Sequence, residues 1–205
     1  MEASLAVTAF VTLFVIIDPV AVAPLFMALT RHMEAPERRA AALRSCLVAA
    51  GVLTVFGLLG QVLLDTIGIS LVAFRISGGI LLFLIAVEML FEKRTARRSN
   101  SATAAADPSV FPIAVPLIAG PGAMATMVLL AAQQGGTWQW LAMIHAILAL
   151  VIGLTYLMFL AGSRMDRLLG QNGINVITRL FGILLAALSV QIVLDGLGSY
   201  GLLPV

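Results

Sequence analysis

The chain has 205 residues, 61% of them hydrophobic and only 11% charged, with a formal net charge of +2 and a mean hydropathy of +1.08. Soluble domains carry about 25% charged residues, so this composition excludes an ordinary soluble fold and points to an integral membrane protein. The single cysteine, Cys46, excludes an internal disulfide, and no Cys/His cluster has metal-ligand spacing.

Apolar runs near 5–29, 45–64, 70–91, 110–132, 139–161 and 176–197 are each about 20 residues long, enough to cross a hydrocarbon core roughly 30 Å thick as helix. The predicted fold is all-α, with six transmembrane helices. Met1-Glu2-Ala3-Ser4 precedes the first run without Lys or Arg and without a small-residue cleavage pattern, which argues against a cleavable signal peptide.

Span one contains Asp18-Pro19-Val20-Ala21-Val22-Ala23-Pro24. A proline in a helix removes a donor and clashes with the preceding turn, so two of them five positions apart predict an unwound elbow between half-helices. Asp18 has two readings that are compatible with each other. It is an intramembrane carboxylate, and therefore a functional candidate; it is also well placed to cap the helix resuming at Pro19.

The connection 32–44 is charged on both signs and reads as an amphipathic lead-in to span two, with Pro36 suited to a first helical turn. Ala50, Thr54, Gly57 and Gln61 then form a small and polar stripe suited to close packing. Span three carries Gly78, Gly79 and Glu88, the last read as an interfacial residue. Gly79-Ile80 matches Gly182-Ile183 of span six, which sets Glu88 opposite Gln191. A small, polar stretch at 99–108 reads as a cytoplasmic linker between a first repeat, 1–98, and a second, 109–205.

Span four holds Pro116-Leu117-Ile118-Ala119-Gly120-Pro121-Gly122-Ala123, in which Pro116 and Pro121 correspond to Pro19 and Pro24. It predicts a second elbow, after which Thr126 is the first hydroxyl. In span five, Trp138 and Trp140 read as an interfacial aromatic belt. His145, whose intrinsic pKa makes it a proton-shuttle candidate, reads first as a hydrogen-bonded structural residue. Span six places Gly182, Ala186 and Ser189 on one face and ends with Gln191 and Asp195.

Basic residues fall in alternate connections: Arg31, Arg38, Arg39 and Arg44; then Lys93, Arg94, Arg97 and Arg98; then Arg164, Arg167 and Arg179. Arg75 is the only one near the others. The positive-inside rule puts the odd-numbered connections in the cytoplasm and both termini outside. Three spans per half then make the predicted architecture a 3+3 inverted repeat, with broken helices in spans one and four. Broken helices at matching places in two repeats mark the binding site of a secondary transporter. The candidate substrate-binding residues are Asp18, Pro19, Ala21, Val22, Ala23, Pro24, Ala119, Gly120, Pro121, Gly122, Ala123 and Thr126. Half-helix N-termini suit a carboxylate, while freed carbonyls or Asp18 suit an ammonium group or Na⁺. The small side chains favour a small substrate.

Asp18-Pro19 with Pro24-Leu25-Phe26, and Ile113 to Ala123, resemble the two signature segments of the MarC family of bacterial and archaeal membrane proteins. In the first, Ala21 stands where that family generally has Gly. The resemblance covers essentially the whole chain. It implies a six-span protein of the cytoplasmic (inner) membrane and a cation-coupled carrier of small neutral amino acids such as glycine and alanine. The coupling ion, Na⁺ or H⁺, stays open, and no other cofactor is expected. The expected partners are a small solute and membrane lipid; no basic stripe interleaved with aromatics points to nucleic acid. Asp18, Glu88 and His145 are scattered over different spans, and no catalytic motif occurs, so an enzyme is not expected. The alternatives are a structural or regulatory membrane protein without transport, and an exporter of another small solute.

Overall fold

The computed structural model describes residues 2–30, 33–91 and 109–199. His32 and the predicted linker 99–108 lie outside the described residues. Secondary structure among the described residues is helical: α1 (Glu2–Ile17), α2 (Pro19–Leu29), α3 (Ala35–Thr66), α4 (Leu71–Leu90), a π-helical segment (Ser109–Ile118) and α5 (Pro121–Ala132). After a short turn, Trp138–Ser199 is helical but interrupted at Gly170 (φ 59°, ψ 174°), which separates α6 (Trp138–Gly162) from α7 (Asn172–Ser199).

Among the described residues, five spans are long and apolar enough to cross a membrane: Ser4–Leu29, α3, α4, α6 and α7. A sixth arises if Pro112–Ile118 and Pro121–Gly136, bent by 55° at their junction, count as one. The chain is thus an integral multi-pass membrane protein. Local chemistry sets several boundaries. The Glu34 N–H donates to the Glu37 carboxylate (3.1 Å) and Pro36 occupies the first turn, so α3 starts well before its apolar stretch. The Ser70 hydroxyl accepts the Ala73 N–H (3.2 Å) at the start of α4. Gly68, at φ 75°, makes the tight turn between α3 and α4.

The prolines act less symmetrically than their spacing predicts. In the first span only Asp18 leaves helical geometry, and Pro24 sits inside α2. In the second broken span the π-helical segment runs through Pro112 and Pro116, the Val115–Pro116 bond is cis, and the break falls at Ala119–Gly120. A proline tolerates the first turn of a helix, which is where Pro19 and Pro121 both lie; Pro24, in the middle of α2, removes one donor without ending the helix.

Of the five spans, the first is the most enclosed, with 61% of its apolar window buried against 22% for α4 and α7. Leu47, Val55, Leu59 and Val62 of α3, and Val176, Leu180, Ile183 and Leu184 of α7, are exposed, as suits surfaces solvated by lipid. The inward face of α3 carries Ala49, Leu53, Gly57, Gly60 and Leu64, while Gln61 of the predicted polar stripe is exposed. Trp138 is exposed, in keeping with an interfacial ring. Trp140 is buried, and its indole N–H donates to the Leu130 carbonyl (2.6 Å), tying the start of α6 to the end of α5.

Glycines set the closest approaches. A Cβ on Gly79 would stand 3.0 Å from the Ser189 carbonyl oxygen and close to Ile192 and Val193 of α7. A Cβ on Gly182 would stand 3.1 Å from the Ala86 carbonyl oxygen and close to Met89 and Leu90 of α4. Ala86, Met89 and Leu90 follow Gly79 at the same spacings at which Ser189, Ile192 and Val193 follow Gly182. The α4–α7 contact is therefore reciprocal. Gly79→Leu and Gly182→Leu should each lower stability by about 1–3 kcal/mol through overpacking against backbone. Gly51→Ala, whose Cβ meets nothing within 4 Å, should not; denaturation of the purified variants in detergent checks both.

Candidate functional site at the helix breaks

Pro19 disfavours the ordinary helical conformation at the residue before it, and aspartate is one of the few side chains that enter the left-handed region, because it bonds locally. Asp18 does so, at φ 54° and ψ 63°. Its N–H closes α1 on the Phe14 carbonyl (2.9 Å), and its carbonyl accepts from Ala21 and Val22 (3.1 and 3.0 Å). Its Oδ1 accepts the Ala21 N–H (3.3 Å). Asp18 is thus the N-cap of α2, fully enclosed by protein.

The second break is built differently. The Ala119 N–H reaches five residues back to Ala114 (2.8 Å), the last π-type bond, and Met124 donates to Gly120 (3.0 Å) as α5 begins. Gly120 caps α5 with no side chain, so the donors of the first turn at Gly122 and Ala123 lack the side-chain acceptor that Asp18 supplies to α2. The two breaks are neighbours: a Cβ on Gly122 would lie 3.0 Å from Ile16 Cδ1, two residues before Asp18.

Most of the sequence-predicted site residues are packed rather than open. Asp18, Pro19, Ala21, Val22, Ala23, Ala119, Gly122, Ala123 and Thr126 are buried; Pro24 and Gly120 are half-buried, and Pro121 is exposed. Of the twelve, Thr126 lines a cavity of about 470 Å³ and Pro121 a smaller one of about 250 Å³. The Thr126 hydroxyl is buried without a hydrogen-bond partner. Thr12, whose hydroxyl donates to the Thr8 carbonyl (2.7 Å), lines the same cavity, as do Arg75, Gln133, Gln191 and Asp195. At about 1.5 Å per residue, Thr12 and Thr126 each stand about 9 Å along the chain from a break. Arg75, Thr8 and Thr12 were not singled out from sequence; a lone arginine at the start of an apolar span was the available signal for the first.

His145 belongs to the packing between α6, α3 and α5. Its Nδ1 lies 2.7 Å from the Leu141 carbonyl, an acceptor only, so Nδ1 carries the hydrogen. Its Nε2 is enclosed, and a Cβ on Gly57 would approach it to 3.1 Å. Among the described residues no group of three His, Cys, Asp or Glu is placed to hold a metal ion.

Gly120 is also constrained by packing. A Cβ there would stand 2.7 Å from the Pro116 carbonyl oxygen, so Gly120→Val should destabilise the fold itself rather than only obstruct a ligand. Asp18→Asn keeps both the cap and the tolerance of positive φ and should unfold near the parent, whereas Asp18→Ala should lose about 1–2 kcal/mol. Unfolding of the three detergent-purified variants measures both expectations.

The chain matches the model of the MarC family integral membrane proteins over residues 3–200. It is 37% identical to the UPF0056 inner membrane protein YhgN of Escherichia coli (strain K12), covering 93% of this chain and 95% of that protein. It is 35% identical to the UPF0056 membrane protein YvbG of Bacillus subtilis (strain 168), over 100% and 99% of the two chains. The UPF0056 membrane protein MJ1677 of Methanocaldococcus jannaschii is also 35% identical, over 96% and 98%. No solved structure matches. With the family model covering nearly the whole chain and relatives at these identities aligned end to end, the chain belongs to the MarC family of integral membrane proteins.

Proposed function

We propose that the protein is a secondary transporter of small neutral amino acids, of the size of glycine or alanine, coupled to Na⁺ or H⁺ and working as a carrier rather than an enzyme. The observation that carries this reading is the adjacency of two helix interruptions inside the bundle, at Asp18 and at Ala119–Gly120. Freed backbone is costly in a membrane, and is tolerated where it lines protein or a solute path.

The two breaks offer complementary chemistry. The uncapped first turn of α5 carries partial positive charge and suits a substrate carboxylate. Asp18, with the carbonyls that lose a donor to Pro19 and Pro24, suits the ammonium group or a Na⁺ ion. Small residues at Ala21, Ala23, Ala119 and Gly120 favour a small side chain on the substrate. The reciprocal contact of α4 with α7 supports a 3+3 inverted repeat, in which 109–205 enters the membrane from the side opposite to 1–98. In this arrangement both termini lie outside the inner membrane.

Reconstitution tests the proposal. Proteoliposomes should take up glycine or alanine when an inward Na⁺ or H⁺ gradient is imposed, and Asp18→Asn should reduce the gradient-driven rate about tenfold or more, the loss of a charge-assisted contact of about 1.4 kcal/mol. Uptake that ignores both gradients would remove coupling from the reading, and no uptake of any neutral amino acid would remove the substrate class.

A further inference from the structure

The cavity that reaches Thr126 opens at the end of the bundle where the starts of α1 and α4 meet the ends of α5 and α7. Among the described residues its wall carries one cation, Arg75, and one carboxylate, Asp195. No ion pair joins Arg75 to an acidic side chain among the described residues. Arg75 also stands just inside the N-terminal end of α4, where the macrodipole gives a cation no support. One Asp195 oxygen accepts from Gln191 Nε2 at 2.7 Å, which orients the carboxylate while leaving it capacity for further donors. Thr126, 2% exposed and with its hydroxyl unpartnered, lines the same cavity, as does the buried Thr12.

Asp195 is exposed and Arg75 half-buried, so at this mouth both charges face the cavity and are open to a solute, and neither is taken up by the other. A simple anion would be held by Arg75 but repelled by Asp195; a simple cation would meet the reverse. A small molecule carrying both charges satisfies both walls and adds no net charge. The volume of about 470 Å³ corresponds to roughly fifteen waters at about 30 Å³ each, so such a solute retains part of its hydration there. From that position Thr126 and Thr12 are the next polar groups toward the breaks.

We propose that this cavity is a mouth site for small zwitterions, with Arg75 binding the acid group, Asp195 the ammonium group, and Thr126 lying on the way inward. The proposal rests on the transporter reading, but concerns residues separate from the helix breaks.

The test uses the full chain purified in detergent, with apparent thermal stability followed against glycine, acetate and methylammonium. Glycine should raise the unfolding temperature, and acetate or methylammonium at the same concentration should not. Arg75→Gln and Asp195→Asn should unfold near the parent temperature without ligand and shift the glycine midpoint about tenfold or more upward, since each removes one charge-assisted contact; Arg75→Lys should restore most of the response. An unchanged glycine midpoint in both variants, an acetate response equal to that of glycine, or no glycine response would overturn the proposal. Glycine uptake by proteoliposomes made from the same proteins separates the two readings. Uptake by the parent with an unchanged midpoint in the variants removes the mouth site and leaves the carrier, while absence of both response and uptake removes both.

Discussion

Within hydrocarbon, a peptide group that leaves the helical ladder finds no water to bond, and the arrangement of this bundle follows from that constraint. Both interruptions are kept inside the protein. Asp18 and Ala119 are fully buried and Gly120 half-buried, and of the five unpaired spans the one carrying Asp18 is the most enclosed. The other helices form a jacket whose outer surface is apolar and whose inner surface covers the breaks. At the first break the carboxylate and carbonyl of Asp18 take up the donors of the resuming helix; at the second, a π-type bond from Ala119 to Ala114 carries the ladder to the edge of the gap.

Helices in lipid gain little from burying apolar surface against one another, so close contact must come from shape. Glycine supplies that shape here. Gly79 and Gly182 let α4 and α7 meet backbone to side chain on both sides of one interface, and Gly122 lets the second break approach Ile16 beside the first. The same demand accounts for Gly57, which leaves room for Met127 and the His145 ring. Ring stacking of Phe26 on Phe159, with centroids 4.3 Å apart, holds α2 to α6 at the opposite end from the cavity.

In the carrier reading, the closed state of the breaks matters as much as their chemistry. Gly122 is hemmed in by neighbouring side chains, and a cavity of about 470 Å³ lies beside Thr12 and Thr126. A path therefore has to be opened by movement of the helices that contact the breaks, with Ile16 and Ile85 against Gly122 as the side chains in the way. Such a movement would change which half-helix ends are exposed without unfolding either one.

The membrane class, the helical content and the family were legible in the chain alone, because 20-residue apolar runs have one stable form in lipid and the motif around Gly120 is specific. Asp18 as a cap was legible too, since Asp before Pro at a helix start has a definite local role. The extent of the first break was not: Pro19 and Pro24 are spaced like Pro116 and Pro121, but α2 resumes at Pro19 and runs through Pro24, whereas α5 resumes only at Pro121. Local propensity states that a proline interrupts a ladder, and only the packing around it selects which turn gives way. The burial of Trp140, the role of Gly120 against the Pro116 carbonyl and the placing of Arg75 and Asp195 around one cavity were likewise decided by tertiary structure. Each depends on residues from distant segments arriving at one place, which hydropathy and spacing do not encode.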